Sequence, residues 1–308
     1  MAHIYIYSPS GAVRDKAAFK RGVARLKKLG HEVELDVNAL SRQTRFAGDD
    51  ATRLSAIQRA AASGADVAMI SRGGYGLTRI LPELPYKALA KSIDKGTQFV
   101  GLSDFTAFQN ALLAKTGAVT WAGPALGEDF GAEQPDDIME ACFDDMLSGQ
   151  GEGAGWRLSA ACVKAQTKTD GVWARDALLW GGNLTVLCSL LGTPFFPQVK
   201  QGVLFLEDVG EHPYRIERML TQLLHAGVLA QQKAIVLGQF TQYKLTPHDQ
   251  GFQMQSVVNW LRAHTKVPVL TDLPFGHVPT KVCLPVGQRV SLLVENRDAL
   301  LLWAHGSH

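Results

Sequence analysis

The sequence lacks the features of several large protein classes. Four cysteines in 308 residues, Cys142, Cys162, Cys188 and Cys283, are scattered, with no Cys-x-x-Cys and no close pair. That leaves no zinc-site spacing, and a disulfide framework is not expected in a chain of this size. Nine histidines include no H-E-x-x-H, and the only close pair is His305 and His308 at the end of the chain, so no metal centre is expected. Basic and acidic residues nearly balance, 31 against 29, so there is no charge surplus to hold a nucleic acid or an anionic membrane. The densest basic cluster, Arg25 with Lys27 and Lys28, reads as the solvated face of a helix. No run approaches the ~20 apolar residues of a membrane span. The chain opens on a strand-like stretch, His3–Tyr7, rather than on a charged start and apolar core of a signal peptide. The expectation is a cytoplasmic protein with no cofactor, no nucleic-acid partner and no membrane partner.

Nucleotide motifs are missing as well. There is no Walker A sequence, and in the loop Arg72-Gly-Gly-Tyr-Gly76 the third glycine of G-x-G-x-x-G is replaced by Arg79. That loop also lies outside the first strand–helix unit, where the dinucleotide fingerprint belongs.

What is present is a large apolar fraction, 46%, enough for two domains. The first half alternates strands and helices. Strands are expected at 3–7, His31–Leu35, Val67–Ile70 and Phe99–Leu102. Helices are expected over Asp15–Leu29 and Thr52–Ser63, with a short one from Leu77 and another after Ser103. This alternation argues for a parallel, doubly wound α/β sheet. Around Ser148–Gly155 four glycines fall in eight residues, read as a linker spanning 149–165 between domains 1–148 and 166–308. The second half shows short strands at Leu178–Trp180, Val203–Leu206, Ala234–Leu237 and Val290–Val294. Helices near Tyr214–His225 and Gln255–Ala263 complete a mixed α/β domain.

Gly101-Leu-Ser-Asp104 stands where an apolar strand turns into a helix marked by Phe105, Phe108 and Leu112 and stopped by Gly117. A serine there is either a helix N-cap or a nucleophile whose oxyanion meets outward-pointing backbone N–H groups. The Arg72–Gly76 loop ends a neighbouring strand, so both could lie at the carboxyl edge where parallel sheets bind ligands. Its glycines are a tight turn or a set of N–H groups open to a ligand. The residue two after Ser103 is Phe105, so the G-x-S-x-G elbow of ordinary α/β-hydrolases is absent. Glu207 follows Val203–Leu206, and His277 lies in the turn-rich Leu273–Pro279. Singly they read as a helix cap and a loop histidine. With Ser103 they supply a nucleophile, a base and an orienting carboxylate.

The set Arg72–Gly76, Gly101–Asp104, Trp180-Gly-Gly-Asn-Leu184, Leu206-Glu-Asp208 with Tyr214–Arg218, and Gly276-His277 resembles the LD-carboxypeptidase family of serine peptidases. Phe46-Ala-Gly48 followed by Arg53 is similar to that family's early segment. The resemblance implies a flavodoxin-like N-terminal domain, a mixed C-terminal domain, a site between them and a homodimer. It implies a triad of Ser103, Glu207 and His277, and an oxyanion hole from the N–H groups of Gly74 and Asp104. A murein tetrapeptide or related muropeptide is the implied substrate, losing its terminal D-alanine. Arg72 is the candidate for the substrate carboxylate, with an internal ion pair as the alternative. Tyr75, Trp180 and Asn183 complete the expected substrate contacts. Leu102 departs from the family, in which an aromatic residue is frequent before the serine. Two other readings stand beside this one. One is the family branch that hydrolyses peptidyl-nucleotide antibiotics, where Trp180 would stack on a base. The other is a non-catalytic muropeptide sensor.

Overall fold

The computed structural model describes residues 1–164 and 170–303; the His305–His308 pair and Ala165, the last linker residue, lie outside the described residues. Along the chain run β1 (His3–Tyr7), α1 (Lys16–Lys28), β2 (Glu32–Leu35), α2 (Asp50–Ala62), β3 (Val67–Ile70), α3 (Tyr86–Asp94), β4 (Gln98–Gly101), α4 (Phe105–Thr116), β5 (Thr120–Ala122) and α5 (Asp137–Ser148). Next come β6 (Gly153–Arg157), α6 (Ala160–Lys164), β7 (Gly171–Asn183), α7 (Leu184–Leu190), β8 (Val203–Val209), α8 (Pro213–His225), β9 (Ala234–Thr241) and α9 (Met254–His264). The chain finishes with β10 (Val269–Leu270), β11 (Leu284–Val286), β12 (Arg289–Glu295) and β13 (Asp298–Leu302). It divides into two compact units. The first holds Met1–Gly151, Gly192–Pro197 and Pro279–Gly287, and the second holds Glu152–Leu191, Gln198–Val278 and Gln288 onward.

The first unit is built on a six-stranded sheet in the order β11-β5-β4-β3-β1-β2. Strands 2-1-3-4-5 are parallel, the flavodoxin-like arrangement, with its ligand crevice beyond the carboxyl ends of β1 and β3. Every residue of β3 is buried, as a strand covered on both faces requires. Ile4, Ile6, Val67, Met69 and Val100 share one core with Phe19 and Leu26 of α1 and with Met139, Phe143 and Met146 of α5. On the other face Phe99 meets Tyr7 and, on α4, Phe108. The first nine residues of α4, Phe105–Leu113, are buried on all sides, so this helix is a central support rather than a surface one. Gly117 ends it in the left-handed region, at φ 73°, as its sequence position predicts. The late segment Pro279–Gly287 adds β11 antiparallel to β5. It also inserts Lys281, which pairs with Asp129 in a single π turn at Leu126–Phe130.

The second unit is a seven-stranded sheet, β10-β9-β8-β7-β12-β13-β6. Its β10, β9, β8 and β7 are parallel, while β7, β12, β13 and β6 form an antiparallel series. The 13-residue β7 joins the two halves; sequence patterning finds only its buried stretch near Leu178–Trp180. The stretch read as a linker holds a five-residue strand, β6, and the short helix α6. Gly153–Arg157 alternates exposed and buried residues, pairs with β13 and anchors Trp156 Nε1 to the Thr271 carbonyl at 3.0 Å. The glycines occupy the exposed positions of that strand, where a small residue reads as linker when burial is unknown.

Candidate active site

In the first unit three loops meet at the carboxyl edge of the sheet. After β4 the chain turns through Ser103, whose φ of 66° is left-handed. Non-glycine residues rarely adopt that region, and it marks functional turns. Ser103 is therefore not the helix cap; Asp104 is the N-cap residue of α4, with no side-chain capping bond. The Arg72–Gly76 loop lies against this turn. A Cβ at Gly73 would come within 2.7 Å of Ser103 Cβ and 2.8 Å of its Oγ. The loop after β1 is tied to the same place, with Gly11 N donating to Gly73 O at 3.2 Å. The Asp104 carboxylate is buried and accepts from Ser10 Oγ and from Leu77 N at 2.9 Å. Burial pushes its pKa up, against those two bonds and the charge of Arg53.

Arg72 is half-buried in this unit. Its Nη1 makes one long contact, 3.4 Å to the Ala12 carbonyl, and no ion pair with any described residue was found for it. Burial first, and then the charge of Arg14, lowers its pKa. Tyr75 is exposed, beside Phe46 at 5.8 Å between ring centroids and under Arg45. Ser103, Gly74, Asp104, Arg72 and Tyr75 thus belong to one neighbourhood.

In the second unit Glu207 is fully buried and takes no part in capping α8, whose N-cap is His212. It sits within β8, paired to Asn183 at the end of β7. Its Oε2 lies 2.9 Å from Nδ1 of His277, and its Oε1 accepts from Asn183 Nδ2 at 3.1 Å. A buried carboxylate facing one ring nitrogen is the arrangement that fixes an imidazole's tautomer. The same Asn183 amide donates to Asp208 Oδ1 at 3.1 Å, and Thr185 N and Oγ1 donate to Asp208 Oδ2 at 2.9 and 2.8 Å. Burial, then the neighbouring Glu207 charge, raises the pKa of Asp208 against the Thr185 bonds. A register shift between Leu206 and Asp208 against β9 accompanies these two successive acids. Bulges of this kind re-aim side chains near active sites.

The His277 segment runs beside β9, with Gln239 N donating to Phe275 O at 2.9 Å and Gln239 Nε2 to Leu273 O at 3.0 Å. Gly276 has φ 139°, and a Cβ there would come within 3.1 Å of Glu207 Oε2. The histidine loop can thus approach the acid only through a glycine.

Two expected substrate contacts change character. Trp180 is wholly buried, its indole N–H bonded to Gln232 Oε1 at 2.9 Å, so it is a core residue and presents no ring to a ligand. Asn183 is buried, caps α7 through Val186 N and holds both acids, which makes it a support for Glu207. That role rests on the pairing of Asn183 with Glu207 across β7 and β8, a relation that the sequence alone does not carry. Among the described residues, no cluster of three metal-binding side chains is present and no helix is long and apolar enough to cross a membrane.

Comparison with known proteins gives a consistent result. The LD-carboxypeptidase N-terminal domain profile matches residues 4–123, and the C-terminal domain profile matches residues 176–292. A putative carboxypeptidase of Synechocystis sp. is 32% identical over 288 residues, covering 93% of this chain and 90% of that protein. A probable murein peptide carboxypeptidase of Bacillus subtilis is 27% identical over 277 residues, 90% of this chain and 84% of that one. The crystal structure of a muramoyltetrapeptide carboxypeptidase from Oxalobacter formigenes superimposes with a TM-score of 0.87 at 39% identity, over 98% of this chain and 99% of the other. The microcin C7 self-immunity protein of Escherichia coli is 25% identical, over 75% of this chain and 72% of its own. Fold and relatives together define a peptidase of carboxypeptidase type. The chain belongs to the LD-carboxypeptidase family.

Proposed function

We propose that this peptidase is serine-type and removes the terminal D-alanine from murein tetrapeptides, cutting between the L-centre of a diamino acid and D-Ala. The observation that carries the reading is the buried Glu207 carboxylate at 2.9 Å from His277 Nδ1; the left-handed turn at Ser103 supports it. In the mechanism His277 takes the Ser103 proton through Nε2 while Glu207 holds the ring. The serine oxygen attacks the scissile carbonyl, and the N–H groups of Gly74 and Asp104 meet the oxyanion. His277 returns the proton to the leaving amine, D-Ala departs, and water resolves the acyl-enzyme by the same route. Arg72, with no ion pair among the described residues, is assigned to the carboxylate of the departing residue, with Tyr75 beside it.

The murein peptide and muramoyltetrapeptide carboxypeptidases among the similar proteins favour this substrate. The peptidyl-nucleotide alternative has less support, because Trp180 is buried and its proposed stacking role is gone. The reading also takes the protein to be cytoplasmic, acting in cell-wall recycling, and homodimeric, which light scattering on the purified protein checks. The deciding experiment offers a synthetic tetrapeptide, its C-terminal L-Ala epimer and a peptidyl-adenylate analogue to the wild type and to Ser103→Ala, read by mass spectrometry. Rapid D-Ala release, at least ~10²-fold faster than L-Ala release, and its loss in Ser103→Ala by on the order of 10⁶ are expected. Equal turnover of both epimers, or an active Ser103→Ala protein, sinks the reading.

A further inference from the structure

Arg53 lies in α2, away from the triad residues in sequence, yet its guanidinium is fully buried. Asp104, next to Ser103, is buried too, and neither charge is used by the proposed reaction. Both side chains converge on one peptide bond. Arg53 Nη1 donates to the Gly76 carbonyl at 2.8 Å, and Asp104 Oδ2 accepts from the Leu77 N–H at 2.9 Å. These are the two polar ends of the Gly76–Leu77 peptide unit, where the Gly-rich loop ends. The same two side chains also grip adjacent residues of the loop after β1: Arg53 Nη1 donates to Pro9 O at 3.2 Å, and Ser10 Oγ donates to Asp104 Oδ2. The Phe46 ring lies against the guanidinium, 5.0 Å from its carbon to the centroid, and Asp50 accepts from its Nη2.

Holding two charges out of water is an inefficient way to gain stability, since the desolvation cost offsets much of the attraction. What such groups do well is fix a backbone that could otherwise turn. The Gly-rich loop is such a backbone, with glycines at 73, 74 and 76 and φ values of 118° at Gly74 and 141° at Gly76. A peptide flip at Gly76–Leu77 would remove one bond from each charge at once.

We propose that Arg53 and Asp104 form a clamp on the Gly76–Leu77 peptide that holds the Gly-rich loop with Gly73 and Gly74 against Ser103, making both side chains positioning residues for oxyanion stabilisation. The assignment rests on the reading of Ser103 as nucleophile. The clamp acts on the transition state, because the loop's N–H donors matter most when negative charge forms on the carbonyl oxygen. A loop displaced by about 1 Å still admits the peptide but loses on the order of 10² in rate.

The test measures tetrapeptide turnover and the affinity of a peptidyl boronate, whose tetrahedral adduct with the serine needs the same donors. Arg53→Met and Asp104→Ala are expected to lower kcat by ~10²-fold and to weaken the boronate by a similar factor, with KM within about threefold. Arg53→Lys keeps the charge but loses the fork whose Nη1 holds Pro9 and Gly76 while Nη2 holds Asp50, so it restores activity only in part. Asp104→Asn retains an acceptor and falls between wild type and Asp104→Ala. Should the larger changes prevent folding, Ser10→Ala, which removes one bond, carries the test with a loss of roughly five- to tenfold. Folded Arg53→Met and Asp104→Ala proteins with kcat and boronate affinity within twofold of wild type overturn the clamp. So does a fall in kcat with unchanged boronate affinity, and so does an unaffected Ser10→Ala protein when the others do not fold. A Ser103→Ala protein that still turns over overturns the underlying reading instead, so the two failures are distinguishable.

Discussion

Gly73 and Ser103 occupy ground that only one of them can fill with a side chain. A Cβ on residue 73 would lie 2.7 Å from Ser103 Cβ and 2.8 Å from its Oγ, well inside van der Waals contact. Gly73→Ala must therefore push the serine out of place or swing the loop away. Either shift misaligns the proposed nucleophile with its donors, and a loss of ~10²-fold in kcat is expected with the fold retained. Steady-state kinetics beside circular dichroism checks this, and a fully active, well-folded Gly73→Ala protein would contradict it.

The left-handed conformation of Ser103 makes a prediction about stability that is independent of substrate. A residue with a Cβ is strained there and glycine is not. Ser103→Gly is expected to be more stable than Ser103→Ala by about 1 kcal/mol, while both lack activity. Chemical denaturation of the two inactive variants measures the difference. Equal stabilities would mean that the turn relaxes once the serine is removed.

Glu207 and His277 should behave as one unit, because the carboxylate works through the ring it orients. The double variant Glu207→Ala/His277→Ala is expected to be barely slower than His277→Ala alone, whereas independent sites would multiply their losses. The rate should decline on acidification, as protonation of an imidazole base removes its ability to accept from serine; ordinary imidazoles do so near pH ~6–7. A flat profile from about pH 5 to 8, with chemistry rate-limiting, would rule out the histidine.

Asp36 supplies an acid-stability prediction away from the site. Burial works against its charge, but the fork from Arg59, the Tyr5 hydroxyl and the Asn38 N–H outweigh it and leave the carboxyl below its usual range. A carboxyl that is more acidic when folded stabilises the protein above its ordinary value of ~3.9 and loses that contribution as pH falls through the folded value. Asp36→Asn is expected to cost about 2 kcal/mol at pH 7, with the gap from wild type closing as pH falls through the lowered folded-state value. Urea melts across that range check it; a gap independent of pH would point to packing alone.

The first unit was legible because its elements carry local signals. β3 is an unbroken apolar tetrapeptide, Asp15 caps α1 through the Ala17 and Ala18 N–H groups, and Gly117 stops α4. Helix α5 carries a weaker signal: Asp136 caps it through Met139 N, but its exposed Ile138 blurs the apolar stripe. In the second unit the signals are long-range. β6 looks like a glycine linker until β13, far along the chain, provides its partner. Trp180 looks like a ligand platform because a sequence does not say that Gln232 lies within reach of its indole. Ser103, Glu207 and His277 each had an ordinary alternative reading, and the first two of these fail on backbone conformation and strand pairing, neither of which a single sequence displays. Arg53 drew notice only through the family resemblance, since a lone arginine in a helix gives no sign that it will be buried.

The pairing of Asp129 with Lys281 has a consequence for how this protein is made. The two residues are 152 positions apart, and the edge strand β11 comes from the same late segment. At about 5–20 residues per second, a ribosome takes roughly 8 to 30 s to supply the lysine after the aspartate. Through that interval the π turn holds an acid without its counter-ion, which must stay protonated or wet. The first sheet meanwhile lacks its last strand. The unit that carries Ser103 is therefore begun first and completed nearly last, and a fragment ending at Gly151 would contain the serine but lack both the edge strand β11 and the lysine that pairs with Asp129.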